Sequence, residues 1–124
     1  MPDKKPSEVS FETIRKIGLE LQQVQDASTR GHVALKGYGT LMVWMPEKKS
    51  LDPGTVAFRV EDEDRDALIA ADPETYYVTD HYLNYNTVLV RLGRVHPDVL
   101  RDLVGMAHKF VARHETRSPA KRSR

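Results

Sequence analysis

The stretch of residues 72–92 limits the folds open to this chain more than any other part of its sequence. It holds four of the five tyrosines and the densest run of β-branched residues, and no helical period fits it. Residues 87–92 are almost continuously apolar, as expected of a central strand that is covered on both faces. Residues 75–78 suit a half-buried strand, and Asn84 and Asn86 tolerate the backbone conformations that a reversal needs. The stretch therefore predicts two strands joined by a tight connection.

Periodic and alternating patterns predict the other elements. Apolar residues at spacings of three and four mark the buried stripe of a first helix, with Ser7 as its N-cap. The predicted helices cover residues 7–23, 62–71 and 97–113, and the other predicted strands cover residues 24–28, 32–36, 40–45 and 55–60. In the strand at 40–45, strict alternation places one set of side chains towards the core and the other outward. The inward set is Leu41, Val43 and Met45, and the outward set is Met42 and Trp44.

The order of these elements predicts the fold class. Five or six strands, mostly joined by short reversals, with helices at the start, middle and end, predict an α+β domain. The strands would form an antiparallel sheet, and the helices would pack on one of its faces. A chain of 124 residues suits one domain with a substantial core. We predict a flexible N-terminus at residues 1–6, a single domain at residues 7–113 and a disordered basic tail at residues 114–124.

Composition and charge exclude several functional classes. The chain has no cysteine, which excludes disulfides, thiolate catalysis and zinc–cysteine sites. No segment approaches the roughly 18 apolar residues of a membrane span, and residues 1–5 lack a hydrophobic signal region, so we expect a soluble, cytoplasmic protein. Residues 109–124 carry a net charge of +5 and residues 1–108 a net charge of −4. This balance argues against strong attraction of the whole domain to nucleic acid and leaves local patches or the tail for that purpose.

Three motifs carry a resemblance to a known family. They are Ser28-Thr29-Arg30-Gly31 before a glycine hairpin, Phe58-Arg59-Val60 before an acidic helix start, and the block of residues 76–92. On these motifs and on the order of elements, residues 11–113 resemble the MmcQ/YjbR-like family. The resemblance implies a bacterial α+β domain with a fold like that of bacterial frataxin homologues. It also implies a DNA-binding role in which β-hairpin wings touch the duplex, and it brings no catalytic residues.

Alternation along the strands predicts a basic outer face of the sheet. If the apolar side of each strand packs against the helices, the residues that turn outward together are His32, Lys36, Trp44, Arg59 and Arg91. Basic side chains beside an aromatic ring can neutralise phosphates and stack on bases. The other interpretation is that scattered charges merely keep a sheet face hydrated. We predict Lys36, Trp44, Arg59 and Arg91 as nucleic-acid contacts.

Two further basic regions are candidates for DNA contacts. Lys48 and Lys49 lie in a long polar loop and Arg94 follows the last strand, positions that match the wing contacts implied by the family resemblance. They can equally be ordinary solvated residues. The tail either binds polyanions without sequence preference or keeps the terminus soluble. Its basic residues are Arg117, Lys121, Arg122 and Arg124.

No pattern in the sequence predicts catalysis or a bound cofactor. Asp80 and His81 are adjacent, but neighbouring strand residues point to opposite faces, so we predict a structural role at a strand end. The acidic run at residues 61–66 lacks the spacing and the turn glycine of a calcium loop. We assign its acids to the start of a helix, where they complement the helix dipole. We therefore expect no metal and no cofactor.

Together these patterns predict a non-catalytic DNA-binding protein with weak sequence preference, whose lysines and arginines contact phosphates. The alternative is a protein- or small-ligand-binding module whose contact surface consists of Tyr76, Tyr77, Tyr82 and Tyr85. Aromatic residues of this kind anchor interfaces. Salt separates the two hypotheses, because nucleic-acid binding falls steeply as salt rises and an aromatic interface barely responds.

Overall fold

The computed structural model describes residues 10–29, 32–46 and 54–115, and within these ranges the chain forms three α-helices and six strands. The helices are α1 (Phe11–Leu19), α2 (Asp62–Ala71) and α3 (Pro97–Glu115). The strands are β1 (Val24–Asp26), β2 (Ala34–Gly37), β3 (Thr40–Trp44), β4 (Thr55–Arg59), β5 (Tyr76–Tyr77) and β6 (Thr87–Arg91). The predicted flexible N-terminus at 1–6, the N-cap Ser7, the loop residues Lys48 and Lys49, and the tail from residue 116 onward lie outside the described residues.

The strands form one antiparallel sheet in the order β1-β2-β3-β4-β6-β5. Its centre is the pairing of β4 with β6, which runs from Thr55 opposite Arg91 to Arg59 opposite Thr87. Four successive residues of β6, from 87 to 90, are fully buried. The nearly continuous apolar run thus forms a central strand that is covered on both faces, which confirms the prediction.

The main core lies between the sheet and the helices α1 and α3. We call the sheet face that meets these helices the inner face, and it contributes Leu35, Val43, Val56, Phe58, Val88 and Val90. From the helices come Phe11, Ile14, Ile17, Leu100, Leu103, Val104, Ala107 and Val111. Leu68 and Ile69 of α2 pack against the same core. The predicted α+β class, with an antiparallel sheet and helices packed on one face, is confirmed.

The first helix is shorter than predicted. It begins after the N-cap Ser10 and ends at Leu19, whereas the apolar period predicted residues 7–23. Beyond Leu19 the chain turns through Gln23, whose φ of 63° lies in the left-handed region. The Gln23 carbonyl accepts a hydrogen bond of 2.9 Å from the Tyr38 N–H. This turn brings β1 beside β2, a long-range pairing that a local period cannot show.

A β-bulge in β3 changes which residues face the core. Leu35 pairs with Val43 and Lys36 pairs with Leu41, so Met42 is an extra residue on β3. Met42 and Val43 are both fully buried against the inner face. The predicted alternation, with Leu41 inside and Met42 outside, is therefore wrong, because one inserted residue reverses the alternation beyond it.

The last helix is longer than predicted. It continues to Glu115, so the assignment of residues 114 and 115 to a disordered tail is wrong. Arg113 and His114 both contact the Glu61 carboxylate at the start of α2, at 3.0 and 3.2 Å. The His114 ring also stacks on Phe110 with 4.0 Å between centroids. Neither this helix nor the other two described helices combine the length and apolar character needed to cross a membrane.

Candidate functional site

The sheet face away from α1 and α3, the outer face, carries Trp44 and other strand residues predicted to contact nucleic acid. One row of side chains crosses it, because Ala34 pairs with Trp44, Trp44 with Ala57, Ala57 with Leu89, and Leu89 with Tyr77. Directly paired residues of antiparallel strands project to the same face about 5 Å apart. Trp44 therefore lies at the middle of the outer face.

The loop between β5 and β6, residues 78–86, folds over part of this face. It forms a 3₁₀ turn at Asp80–Tyr82 and places Tyr82, which is 8% exposed, against Ala57 and Leu89. Packed around this second small core are Trp44, Tyr77 and Val78. The expectation of an outer face open to water is therefore wrong in part. The predicted tight connection is instead a nine-residue loop with apolar side chains to bury.

Arg65 of α2 holds this loop in place, and the sequence analysis missed it. Its side chain is only 8% exposed, and Nη1 donates a hydrogen bond of 2.9 Å to the Leu83 carbonyl. The same guanidinium pairs with the carboxylates of Asp62 and Asp66 at 3.1 and 3.0 Å. Asn86 donates to Asp62 at 3.0 Å and has the left-handed backbone predicted for this reversal, with φ of 50°. An arginine inside an acidic run offers no sequence signal that distinguishes it from an exposed helical charge.

Trp44 lines two cavities, and we call their combined surface the Trp44 groove. The smaller has a volume of about 150 Å³ and is lined by Leu41, Trp44, Arg59, His81, Tyr82 and Tyr85. The larger has a volume of about 370 Å³ and is lined by Thr29, His32, Val33, Ala34, Leu41, Trp44 and Met45. Because Leu41 and Trp44 line both cavities, the two adjoin along the outer face.

Aromatic rings form one wall of the smaller cavity. The Tyr82 ring centroid lies 6.2 Å from that of Trp44 and 4.6 Å from that of His81, with the His81 pair edge to face. The Tyr85 ring lies 6.0 Å from His81, and Tyr85 is 56% exposed. Ring contacts of this kind orient aromatic side chains relative to one another. His81, predicted to have a structural role, thus lies in a chain of rings that ends at the open face of Tyr85.

Arg59 lines the smaller cavity, and its side chain extends from there to α3. Its guanidinium carbon lies 5.3 Å from the centroid of the Phe110 ring. Burial lowers the pKa of Arg59 below its ordinary value. Its Nε is buried without a hydrogen-bond partner, and no carboxylate within the described ranges forms an ion pair with it. A cation that loses hydration without gaining a counter-ion is destabilising unless a ligand compensates for the loss.

Lys36 lies at the same end of the outer face as Arg59. It pairs with Leu41, a residue of the Trp44 groove, and its side chain is exposed. Two strand spacings, roughly 10 Å, separate its strand from β4. It has no ion-pair partner in the part of the chain that the structure describes. Trp44 and Arg59 thus line one groove, and Lys36 lies beside it on β2, opposite the lining residue Leu41.

The other predicted arginines lie at the opposite end of the β4–β6 ladder. Arg91 is four residues along the strand from the position of Arg59, roughly 13 Å away. Its guanidinium carbon lies 4.1 Å from the Tyr77 ring centroid, and Nη1 donates to the Glu74 carbonyl at 3.1 Å. Arg94 forms an ion pair of 3.2 Å with the Glu74 carboxylate. The expected single basic plate is therefore wrong: the described basic residues form two groups, and the second group is engaged by the protein itself.

Most tyrosines of the predicted aromatic contact surface have structural roles. Tyr76 is 7% exposed and belongs to the main core, where burial raises its pKa. The Tyr77 hydroxyl lies 2.9 Å from Thr55 Oγ1. Tyr82 is buried in the second core. Of the four predicted residues, Tyr85 is the one whose ring is largely open to solvent.

A third cavity, of about 410 Å³, lies between the start of α2 and the end of α3. Its lining residues are Glu61, Glu63, Asp64, Met106, Lys109, Phe110 and Arg113. Glu61 there is already paired with Arg113 and His114. Among residues 10–29, 32–46 and 54–115, no group of three or more histidine, aspartate or glutamate side chains is arranged to hold a metal ion.

Comparison with known proteins identifies a relative in fold. The crystal structure of Deinococcus radiodurans protein DR2400, which has the family-model domain DUF419, matches with a TM-score of 0.68. The match covers 89% of this chain and 83% of that chain at 19% sequence identity. At this identity the likeness shows a shared fold and nothing more specific. No family model and no curated protein matches the sequence.

Proposed function

We propose that this protein is a non-catalytic DNA-binding protein of the MmcQ/YjbR-like type, with weak sequence preference, and that the Trp44 groove is its contact surface. In this proposal Lys36 and Arg59 contact phosphates, and the aromatic rings of the groove contact bases. The observation that carries the proposal is the environment of the Arg59 side chain. Arg59 lines an aromatic cavity, its side chain is partly removed from water and reaches the Phe110 ring of α3, and it lacks a carboxylate partner among the described residues.

A phosphate would supply what Arg59 lacks. Guanidinium groups form strong, charge-assisted hydrogen bonds with phosphate oxygens, and these bonds strengthen where water is partly excluded. The adjoining rings of Trp44, His81 and Tyr85 favour a ligand that also has flat, apolar faces. Nucleic acid combines both features along one chain, and an inorganic anion does not.

Two observations support the proposed MmcQ/YjbR-like type, one from the sequence and one from the fold. The motifs before the glycine hairpin, before α2 and across residues 76–92 resemble the MmcQ/YjbR-like family. The shared fold with DR2400 agrees with this, since DUF419 is related to that family. Fold alone does not determine function, so DNA binding is argued from the groove.

A protein or small-ligand partner on the same groove is the second candidate. Leu83 and Tyr85, both in the loop that covers the outer face, are 44% and 56% exposed. Exposed apolar and aromatic side chains side by side are typical of interface anchors. Binding through such contacts would respond weakly to salt, whereas phosphate contacts respond strongly.

Two matched double variants test the proposal. Lys36→Met with Arg59→Met removes two positive charges from the groove, and Lys16→Met with Arg101→Met removes two from exposed positions on α1 and α3, on the far side of the sheet. We expect the groove variant to bind labelled DNA about tenfold more weakly at low salt, with a salt slope smaller by about 1.5–2. The far-side variant should change affinity by no more than about twofold. Fluorescence anisotropy over a salt series measures both quantities.

Arg59→Met alone provides the folding control. Methionine keeps the contact with Phe110 and removes a buried N–H that has no partner in the described residues, so thermal stability should stay within about 1 kcal/mol of wild type. Equal weakening in both double variants would assign binding to net charge and refute the groove. Salt-independent binding that is lost in Tyr85→Ser would favour the second candidate.

A further inference from the structure

We infer that the Trp44 groove selects unpaired over base-paired DNA, and that a base of the single strand stacks on Trp44. The inference rests on the proposed DNA binding and specifies which form of DNA is bound. Three features carry it: the recessed position of the Trp44 side chain, the small number of outer-face cations without an ion-pair partner among the described residues, and the exposed ring of Tyr85.

The recess around Trp44 admits a flat group and excludes a double helix. The Trp44 side chain is partly exposed, lines two cavities and lies beside Tyr82 of the covering loop. In a duplex, neighbouring base pairs cover both faces of each base and the backbone lies on the outside. An unpaired base has a free face and can rotate onto an aromatic side chain. The groove is therefore accessible to a base once it has left the duplex.

The charges of the outer face favour the same ligand. Duplex binding draws much of its affinity from neutralising phosphates, with roughly six to ten contacts in strong binders. On this face of the described chain, Lys36 and Arg59 have no ion-pair partner, whereas Arg91 and Arg94 contact Tyr77 and Glu74. Residues 1–108 carry a net charge of −4. Two phosphate contacts need a second source of affinity, and stacking supplies roughly a fivefold to hundredfold gain per base.

Tyr85 provides a second stacking position next to the first. Trp44, Arg59 and Tyr85 all line the same cavity of about 150 Å³. A strand with one base on Trp44 and the next on Tyr85 would pass its intervening phosphate by Arg59. Such a site covers roughly two or three nucleotides and discriminates little between bases, because every base has a flat face. Weak sequence preference follows from this geometry.

The chain contains one tryptophan, so its intrinsic fluorescence reports directly on the groove. We would titrate the full chain with three probes of equal length: an oligo-dT single strand, a duplex, and an abasic sugar-phosphate strand with the same charge as oligo-dT. Oligo-dT should quench the tryptophan and bind roughly tenfold or more tightly than the other two probes. The duplex and the abasic strand should bind weakly, without quenching, and should dissociate as salt rises.

Aromatic substitutions complete the experiment. Trp44→Leu should weaken oligo-dT binding by roughly fivefold to hundredfold, the loss of one stacked base, and Trp44→Leu with Tyr85→Leu should reduce oligo-dT affinity to that of the abasic strand. Tyr38→Leu, which removes a ring that contacts His108 of α3 on the far side of the sheet, should leave it unchanged. Duplex or abasic DNA that binds wild-type protein as tightly as oligo-dT would overturn the preference for unpaired bases and leave DNA binding intact. Failure of all three probes to bind would overturn both proposals.

Discussion

Replacing Arg65 with methionine should destabilise the protein by about 2 kcal/mol, through the loop that covers the outer face. The structure locates the sources of this loss. Asp62 and Asp66 are 57% and 69% exposed, so their ion pairs with Arg65 together contribute no more than about 1 kcal/mol. The hydrogen bond from the nearly buried guanidinium to the Leu83 carbonyl contributes about 1.5 kcal/mol or more. Methionine retains most packing of the arginine stem, so little apolar burial is lost.

Urea and thermal unfolding followed by circular dichroism measure this change. For a domain of this size, a loss of about 2 kcal/mol lowers the thermal midpoint by roughly 8 °C. Trp44 fluorescence should change under native conditions as well, because Trp44 packs beside Tyr82 of the same loop. Arg15→Met is the matched control: Arg15 also bonds a carboxylate three residues earlier in its helix, at 2.8 Å, but its side chain is 36% exposed.

The control variant should lose much less stability than Arg65→Met, and this loss should vanish at high salt because Arg15 and its partners are exposed to solvent. The Arg65 effect should persist at high salt, because its main source is a partly buried hydrogen bond. Equal losses in the two variants, or an Arg65 effect that salt abolishes, would refute the assignment of stability to the buried bond with Leu83.

Three further predictions concern the two cores and one buried hydroxyl. Leu89→Ala should destabilise the protein by about 2–4 kcal/mol in urea unfolding, because Leu89 is fully buried under the loop. The control Leu19→Ala, at a position 42% exposed, should lose less than about 1 kcal/mol in the same measurement. Gly37→Ala places a Cβ 2.9 Å from both Met42 Sδ and Val111 Cγ2 and should destabilise the protein by about 1–3 kcal/mol. Gly105→Ala, in α3, places a Cβ with no atom within 4 Å and should stabilise the protein by about 0.5–1 kcal/mol. A loss of stability in both glycine variants would contradict this packing argument. Burial raises the pKa of Tyr76 above its ordinary value of 10.0, so the unfolded chain releases the hydroxyl proton at a lower pH than the folded chain does. The stability that Tyr76 contributes is present below pH 10.0 and is lost as the pH rises through the folded pKa. Tyr76→Phe should therefore lose less stability than wild type between about pH 9 and about pH 11 in urea unfolding, and an unchanged pH dependence would exclude Tyr76 as a source.

Much of the fold could be predicted because its determinants are local. The apolar run of β6 and the stripes of α1 and α3 each identify an element without knowledge of the rest of the chain. The errors occurred where distant contacts decide the outcome. The chain leaves α1 early because β1 must reach β2, and α3 continues because its last turn contacts Glu61.

The candidate site was predictable to a smaller extent. Alternation predicted Lys36, Trp44 and Arg59 on one face, and the pairings of β2, β3 and β4 place Lys36 beside the groove that Trp44 and Arg59 line. The same reasoning did not separate Arg91 from this group, because an alternating pattern identifies a face and not a position along it. The engagement of Arg91 by Tyr77 and Glu74 depends on residues from two other segments of the chain.

The sequence by itself determined which elements form and which side of most strands is apolar, because secondary structure and burial follow from short-range periodicity. Only the tertiary structure decided that a bulge reverses part of β3 and that the loop at residues 78–86 packs Tyr82 on Ala57 and Leu89. It also decided that Arg59 lines an aromatic cavity without a carboxylate partner in the described chain. The physical reason is that packing depends on which distant side chains compete for the same volume and the same hydrogen bonds. The capacity of this protein to bind a ligand depends on that second kind of information.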